Sequence, residues 1–448
     1  MKRNLILILL VLTFFLSGCA GKPAEAPNGE YFIRLEHDAV DLVVGQEVSV
    51  AIAAFTKDGE STDPAYLRYV VSNTDIVTVE SGKLKGKSVG ETSVTVSCKN
   101  ASAQLLVRVW ECASTDAMSD STVQTYGRTY EKDGGIVVDN VNSGIGFSFY
   151  GTQCKIQIMN ISGASYVRYY VDEDTEGVRV LLSGVGAHTY TFAEDLAEGV
   201  HHIRVMKATE QNYYGRYSFR FDGIETGEDC VLLNRFPEAP QKKKLKIDFY
   251  GDSITAGEGN LVESPTTEIT VANSDGTQTY AAFTAEALGS ESSFVGYGGI
   301  TVKARKWLGQ EFTMSEIWKW YSTFNQTEYP IDPDVDFVVI NLGTNDAYAY
   351  NGDTLLNQRK KFAEDYLSML NAMTAVYTKA KFVLCYGMMG TVHFIDRGIQ
   401  QVIKDLPGKV YYCLLPSNVG GAGAHPTVAG HRAAAATLTA FIQELLGN

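Results

Sequence analysis

Two polar residues in the C-terminal half of the chain have the types and positions needed for nucleophilic catalysis. Ser253 comes shortly after 245–250, whose pattern is that of a buried strand. A serine there presents its hydroxyl at the edge of a sheet, but it needs a base before it can act as a nucleophile. His425 follows the glycine-rich stretch 420–424 and is the candidate base.

Two further motifs are suited to stabilise the negative charge that such a nucleophile creates. Asn345 follows the apolar run 335–342, so its amide can be aimed at an oxyanion. Gly298 and Gly299 come at the end of a short strand-like run, where an unhindered backbone N–H provides a second donor beside the N–H of Ser253. The four motifs predict acyl transfer to a serine, with no metal or organic cofactor.

The elements that must position these motifs alternate between strands and helices across 243–448. Strands are predicted at 245–250, 294–295, 335–342, 382–386 and 410–415, and helices at 277–288, 355–379 and 431–446. This alternation predicts an α/β domain of three layers, with helices on both faces of a parallel sheet. Ligands of such sheets bind beyond the carboxyl ends of the strands, which is where the motifs lie.

Two β-rich segments come before this domain. In 31–110, short alternating β-branched runs separated by turn residues predict a sandwich. Its motifs resemble the bacterial Ig-like domain of group 2, which implies a spacer or adhesive unit; they stand at 71–73, 76–79, 82–86 and 90–92. In 111–242, longer alternating runs predict a second all-β domain of the jelly-roll type.

The N-terminus has the pattern of an export signal. A basic start and an apolar run within 1–18 end at Cys19, an arrangement that resembles the lipobox of bacterial lipoproteins. The resemblance implies that Cys19 is lipidated and that the protein is exported and held on the cell membrane or outer membrane, facing outward. An ordinary secretory signal is the alternative, and 19–30 is interpreted as a tether.

Charge and cysteine content exclude several other classes. The net charge of −14 argues against a nucleic-acid partner, because a phosphate backbone requires a basic face. The 7 cysteines form no CxxC pair and do not lie near a histidine at metal spacing, so a zinc site is not expected. Their spacings leave any disulfide pairing open, and the oligomeric state is open as well.

In this order, the four motifs resemble the sequence blocks of SGNH (GDSL-like) hydrolases. They match its nucleophile, glycine, asparagine and histidine blocks at 251–253, 298–299, 343–346 and 425–426. The jelly-roll domain directly before them narrows the resemblance to carbohydrate esterase family 2, which implies hydrolysis of acetyl esters on polysaccharides of the xylan or glucomannan type. The alternatives are an esterase acting on peptidoglycan, a host glycan or a lipid, and a catalytically silent glycan-binding surface protein.

One position departs from the family pattern. Most SGNH hydrolases carry an Asp three residues before the histidine, and here that residue is Ala422. Members of the second esterase family work with a Ser–His pair, which implies that a backbone carbonyl in 415–423 orients His425. A carboxylate from elsewhere, such as Asp334 or Asp396, is the less favoured choice.

Several other side chains are candidates for the site. Tyr348 and Tyr350 follow the asparagine block and are predicted to stack on sugar rings, as is Trp307, whose alternative role is core packing. Asp252 and Asp346 are interpreted as carboxylates that order loops. His393 is a candidate for the lining of the cleft. His431 is expected either to pack inside the domain or to face solvent.

Overall fold

The computed structural model describes residues 29–447, except 51, 62, 115–117, 183, 212–216, 228–229, 237–243, 305–310 and 351–352. The signal predicted for 1–18, Cys19 and Trp307 lie outside the described residues. The chain divides into two compact units, Met1–Val109 and Trp110–Asn448. None of the helices in the described part of the chain is long and apolar enough to cross a membrane.

The N-terminal β unit, 29–109, consists of short antiparallel strands. Those described are β1 (Tyr31–Leu35), β2 (Ala39–Val43), β3 (Glu47–Ser49), β4 (Ile52–Thr56), β5 (Arg68–Val71), β6 (Val77–Glu80), β7 (Lys83–Gly86), β8 (Gly90–Cys98) and β9 (Ala101–Trp110). They pair in the orders β2-β9-β8-β5, β3-β7-β6 and β1-β4. Alternate residues of β8 and β9, such as Val94, Val96, Leu105 and Val107, are buried in one core.

The central β domain, 110–236, contains two antiparallel sheets. Its strands are β10 (Val123–Tyr126), β11 (Thr129–Lys132), β12 (Gly135–Val138), β13 (Gly144–Gly151), β14 (Cys154–Ser162), β15 (Ser165–Val171), β16 (Val178–Leu182), β17 (Gly186–Ala193), β18 (Gly199–Lys207), β19 (Ser218–Thr226) and β20 (Val231–Leu232). One sheet has the order β10-β13-β18-β15-β16, with β20 beside β13, and the other β11-β12-β19-β14-β17. Apolar residues from both sheets share one core.

The α/β domain, 244–447, contains the predicted parallel sheet, which is confirmed. Its elements are β21 (Lys246–Gly251), α1 (Ser253–Ala256), α2 (Tyr280–Ala287), β22 (Glu291–Gly296), α3 (Met314–Ile317), β23 (Phe337–Asn341), α4 (Asp346–Ala349), α5 (Leu355–Val376), β24 (Lys381–Tyr386), α6 (His393–Asp405), β25 (Val410–Leu414) and α7 (Val428–Gly447). The strands pair in parallel in the order β22-β21-β23-β24-β25. Helices α5 and α6 cover one face of the sheet, and α2 and α7 cover the other.

Among the helices that the sequence analysis missed, α6 is the longest. Its buried residues are Phe394, Ile395, Gly398, Ile399 and Val402, which form an amphipathic stripe at helical spacing. The helix packs against α5, and its Gly398 lies against Phe362, where an added Cβ would approach a ring carbon to 2.6 Å. The sequence therefore contained the apolar periodicity that predicts this helix.

Buried charged groups join the central β domain to the α/β domain. The guanidinium of Arg128 donates to the carbonyl oxygens of Trp318 and Trp320, at 2.8 and 2.6 Å, and to the hydroxyl of Tyr250. Ser322 donates its hydroxyl to Asp139 across the same boundary, at 2.5 Å. Removing one partner of a buried charged contact is destabilising, because the other partner is left uncompensated. These contacts therefore stabilise the boundary between the two domains.

Candidate active site

Local packing places Ser253 just beyond the carboxyl end of β21. Gly251 ends β21, and an added Cβ there would lie 2.0 Å from Thr255 Oγ1, so no side chain fits this turn. The side chain of Asp252 then caps α1 by accepting the N–H of Ile254 at 3.0 Å. Ser253 is the first residue of this short helix and lies beside the carboxyl ends of β22 and β23.

His425 lies against this serine in the orientation that a base requires. Its Nε2 is 2.8 Å from Ser253 Oγ, and its Nδ1 is 3.2 Å from the carbonyl oxygen of Gly423. A carbonyl oxygen only accepts, so Nδ1 carries the proton and Nε2 is left to accept the Ser253 hydroxyl. Burial lowers the pKa of His425 from its ordinary value of 6.5, so the ring is neutral at neutral pH.

The carbonyl that contacts His425 lies in the loop where the family resemblance implied one. Gly423 adopts a left-handed conformation, with φ near 58°, which a residue without a Cβ reaches without strain. Its N–H donates to the carbonyl oxygen of Thr267 at 2.9 Å, and the N–H of Ala422 donates to that of Gly259 at 2.9 Å. The loop is thus fixed by backbone hydrogen bonds from 259–267.

The alternative carboxylates have partners elsewhere in the α/β domain. Asp334 forms an ion pair with Lys379. Asp396 accepts the hydroxyl of Tyr412 at 2.8 Å and the amide of Gln400 at 2.9 Å. In the described structure the Nδ1 contact of His425 is the Gly423 carbonyl.

The asparagine of the third motif is held close to the nucleophile. The Nδ2 atom of Asn345 donates to the carbonyl oxygen of Ile300 at 3.0 Å, and it lies 3.5 Å from Asp252 Oδ2. The second contact is long for a hydrogen bond, so an oxyanion can replace it. This amide is therefore directed toward the space beside Ser253.

The glycine motif requires a correction to the sequence interpretation. The N–H of Gly298 donates to Glu210 Oε2 at 2.9 Å, so this donor is already engaged by a carboxyl group. Gly299 follows in a left-handed conformation, with φ near 72°, and its N–H is the next one along the chain. The N–H groups of Ser253 and Gly299 and the amide of Asn345 remain the candidate oxyanion donors.

Two aspartates order the loops around these donors, as expected. Asp346 accepts the N–H of Val302 with both carboxyl oxygens, at 3.1 and 3.3 Å. Burial raises the pKa of Asp252 to about 7 and that of Asp346 to about 8. Among the described residues, no group of three His, Cys, Asp or Glu side chains is suited to hold a metal ion.

Sequence reasoning missed two buried glutamates beside the catalytic pair. Glu258 Oε2 lies 4.0 Å from His425 Nε2, and Glu258 is hydrogen-bonded to Glu210 of the central β domain. Glu258 is only five residues from Ser253, so a search for carboxyl groups near the nucleophile would have found it. Nothing in the sequence pattern linked Glu210 to the site, because only the tertiary fold of the two β sheets brings it there.

The predicted aromatic residues differ in accessibility. Tyr348 lies on α4 and is 54% exposed, one turn from Asn345. Tyr350 instead packs inward, where its hydroxyl donates to Asp365 at 2.8 Å and its ring contacts Phe362 edge-on. Its ring is therefore engaged with α5, and the predicted stacking role is not supported for Tyr350.

The two histidines with open assignments are now placed. His393 begins α6 and is exposed. His431 is fully buried: its Nδ1 accepts the N–H of Tyr280 at 3.0 Å, and its ring stacks on that of Tyr280. Burial lowers the pKa of His431 to about 3, which keeps it neutral and structural.

Two successive parts of the chain each match a protein family. Residues 125–234 match the carbohydrate esterase 2 N-terminal family, and residues 249–433 match the GDSL-like Lipase/Acylhydrolase family. The second match includes all four motifs of the site. The first covers most of the central β domain.

Individual proteins are also similar to this chain. The chain is 28% identical over 319 residues to the cellulase/esterase CelE of Acetivibrio thermocellus, a match that covers 68% of this chain and 37% of that protein. A family two carbohydrate esterase from Clostridium thermocellum, solved in complex with cellohexaose, is 26% identical, with a TM-score of 0.64 over 72% of this chain and 99% of that one. An acetyl xylan esterase from the rumen bacterium Butyrivibrio proteoclasticus shares the fold at 20% identity, with a TM-score of 0.62 over 74% of this chain and 96% of that one. Two successive parts of the chain are therefore similar to the carbohydrate esterase 2 N-terminal family and to the GDSL-like Lipase/Acylhydrolase family, and the proteins that the chain resembles include carbohydrate esterases.

Proposed function

We propose that this protein is a carbohydrate O-acetylesterase that hydrolyses acetyl esters on a polysaccharide or oligosaccharide of the xylan or glucomannan type. The observation that carries the proposal is the 2.8 Å contact between Ser253 Oγ and His425 Nε2, with the proton of the ring held on Nδ1 by Gly423. Carbohydrate esterases among the relatives support the substrate class.

In the acylation step, Ser253 Oγ attacks the acetyl carbonyl carbon while His425 Nε2 takes the hydroxyl proton. The negative charge that develops on the carbonyl oxygen is stabilised by the Ser253 and Gly299 N–H groups and the Asn345 amide. The imidazolium then gives its proton to the sugar oxygen as the bond between that oxygen and the acetyl carbon breaks, which leaves an acetyl-enzyme. In the second half, His425 takes a proton from water, whose oxygen attacks the acetyl carbonyl carbon. The bond between the acetyl group and Ser253 Oγ then breaks, His425 returns the proton to Oγ, and acetate is released.

The sugar part of the substrate is assigned to the surface around α4. Tyr348 exposes its ring one turn from Asn345, and an exposed tyrosine ring stacks on the apolar face of a sugar. The Clostridium thermocellum relative was solved with cellohexaose, which supports oligosaccharide binding in this group of proteins. An acetylated β-linked oligosaccharide is thus the proposed ligand.

The remaining domains complete the proposal. The paired sheets of the N-terminal β unit support an Ig-like sandwich that acts as a spacer, and those of the central β domain support a jelly roll. The lipobox-like residues before Cys19 support export and lipid anchoring to the cell membrane or outer membrane. Cys19→Ser should move the protein from the membrane fraction to the soluble fraction of a bacterial host, and retention of the variant on membranes would contradict the anchor.

Release of 4-nitrophenol from 4-nitrophenyl acetate and butyrate tests the activity. We expect turnover of the acetate by wild type, a strong preference for acetate over butyrate, and loss of turnover in Ser253→Ala. Ser368→Ala, which changes an exposed serine on α5, is the matched control and should be fully active. Equal or faster butyrate turnover would favour a lipid or general esterase, and no turnover by folded wild type would favour a silent glycan-binding protein.

A further inference from the structure

Two carboxyl side chains are buried side by side against the glycine motif. Glu210 comes from the loop after β18, and Glu258 from the loop after α1; they are 5% and 4% exposed. A Cβ added to Gly298 would lie 2.0 Å from Glu258 Oε1 and 3.1 Å from Glu210 Oε2. Both carboxyl groups therefore press against the backbone of this one glycine.

The hydrogen bonds of the pair are satisfied by a single proton shared between them. Glu210 Oε2 accepts the Gly298 N–H at 2.9 Å, which favours a charged Glu210. Glu258 Oε1 is buried, and among the described residues it has no N–H or O–H donor within hydrogen-bond distance. A charged Glu258 would leave that oxygen unsatisfied, whereas a protonated Glu258 donates to Glu210.

The surroundings of the pair agree with this assignment. Burial is the largest cause that raises the pKa of both groups, to about 7 for Glu210 and well above its ordinary value for Glu258, whose pKa is raised further by Glu210. The ionisable groups facing the pair from neighbouring elements are His425, Asp252, Lys207 and Tyr217. Asp252 favours the protonated form of Glu258, and Lys207 favours the charged form of Glu210.

We propose that Glu258 works in the protonated state, donating to a charged Glu210, and that this pair positions the loop at Gly298 so that the Gly299 N–H stays directed at the oxyanion. The inference rests on the proposed function. Neither residue is assigned contact with the substrate; both act through the glycine loop, and Glu210 brings the central β domain into that role.

A dependence on pH follows from the proton on Glu258. When pH rises enough to remove it, two charged carboxylates face each other and the contact that holds the glycine loop is lost. The folded state binds this proton at pH values where the unfolded chain has released it, so the free energy of unfolding falls as pH rises above the ordinary glutamate pKa of 4.5. Because of this pair, stability should fall as pH rises above 4.5, and kcat should fall once the pH is high enough to remove the proton from Glu258.

Two substitutions at one position separate proton donation from charge. Glu258→Gln keeps a donor of the same shape, so we expect kcat for 4-nitrophenyl acetate to stay within about threefold of wild type at neutral pH and to fall less at alkaline pH. Glu258→Leu removes the donor and should lower kcat about tenfold, with little change in KM, because an oxyanion donor is displaced. Glu263→Gln, an exposed glutamate in the same loop, is the control and should leave the pH profile unchanged.

Three results would overturn the inference. Equal losses in Glu258→Gln and Glu258→Leu would show that the site requires a charge at this position, and full activity in Glu258→Leu would show that the pair positions nothing. Infrared difference spectra of the carboxyl region give a readout that does not depend on esterase activity. Wild type at neutral pH should show a protonated carboxyl band that Glu258→Gln removes; identical spectra would reject the shared proton even if the proposed function failed.

Discussion

Ser253 and His425 lie 2.8 Å apart, but different parts of the chain bring them there. The serine is positioned by its neighbours: the end of β21, the tight turn at Gly251 and the cap at Asp252. The histidine is positioned through a loop whose hydrogen-bond partners, Gly259 and Thr267, lie far away in the sequence. The nucleophile side of the site is thus a local structure, whereas the histidine side depends on tertiary packing.

The central β domain contributes to the histidine side through contacts with the segment that holds the His425 loop. Arg168 forms a buried ion pair with Asp275 at 2.8 Å, and Arg179 donates to the carbonyl oxygens of Val271 and Ser274 at 2.8 and 2.9 Å. These bonds hold the segment 261–278, whose Thr267 carbonyl accepts the N–H of Gly423. The central β domain is therefore part of the catalytic architecture and not only an attached module.

The largest expected effect is common to both sides of the site. Ser253→Ala and His425→Ala should each lower kcat about 10⁴-fold or more, and the double variant should lose no more than either single variant, because the two residues act as one unit. The measurement is hydrolysis of 4-nitrophenyl acetate by all three variants. Losses that multiply in the double variant would mean that the two side chains work independently.

The next effect tests the oxyanion donor that lies beside the nucleophile. Asn345→Ala should lower kcat by about 10² to 10³, the cost of one oxyanion donor, with a much smaller change in KM. The control is Asn371→Ala, which changes an exposed asparagine on α5. If KM rises while kcat is kept, Asn345 binds the ground state and does not stabilise the oxyanion.

A smaller effect tests the packed side. Arg179→Ala removes the bonds to Val271 and Ser274, so the histidine loop should loosen and kcat should fall about tenfold, equivalent to about 1.4 kcal/mol in the activation barrier. Arg220→Ala is the matched control, because its ion-pair partners Asp133 and Asp222 lie within the central β domain. Both variants should lose thermal stability, and equal kcat values for the two would refute the link from the central β domain to His425.

The smallest effect is a displacement of the acid limb of the pH profile. Protonation of His425 at Nε2 abolishes the base, and burial lowers its pKa from 6.5, so kcat/KM should stay level down to that pH and decrease only below it. The profile of kcat/KM for 4-nitrophenyl acetate reports this value for the free enzyme. An acid limb centred above 6.5 would indicate a charged partner that stabilises the imidazolium.

The contrast between the two sides also explains what could be predicted from the sequence. The motifs of Ser253, Asn345 and His425 each stand at the end of an element with a clear pattern, and the parallel sheet follows from the alternation of strands and helices. Contacts between segments that lie far apart in the sequence cannot be predicted from a local sequence pattern. Glu210 reaches the site from another domain, and it takes the Gly298 N–H that the sequence had assigned to the oxyanion.

Tyr350 is a case of the same kind within one domain. Its position just after the asparagine block favoured a role at the cleft, but helix α5 presents Asp365 and Phe362 to it. A side chain that can satisfy its hydroxyl and bury its ring in the protein does so, since both contacts stabilise the fold. Tyr348 is 54% exposed, and the sequence alone could not distinguish it from Tyr350 in this respect.

The central claim is that a carbonyl group, and not a carboxylate, orients His425. Nitrogen-15 NMR of histidine-labelled protein, with His425→Ala used to assign the signals, observes this directly. We predict that the His425 ring at neutral pH carries its proton on Nδ1, with Nε2 unprotonated and free to accept from Ser253. A proton on Nε2, or an imidazolium at neutral pH, would contradict the arrangement around Gly423 and the mechanism that depends on it.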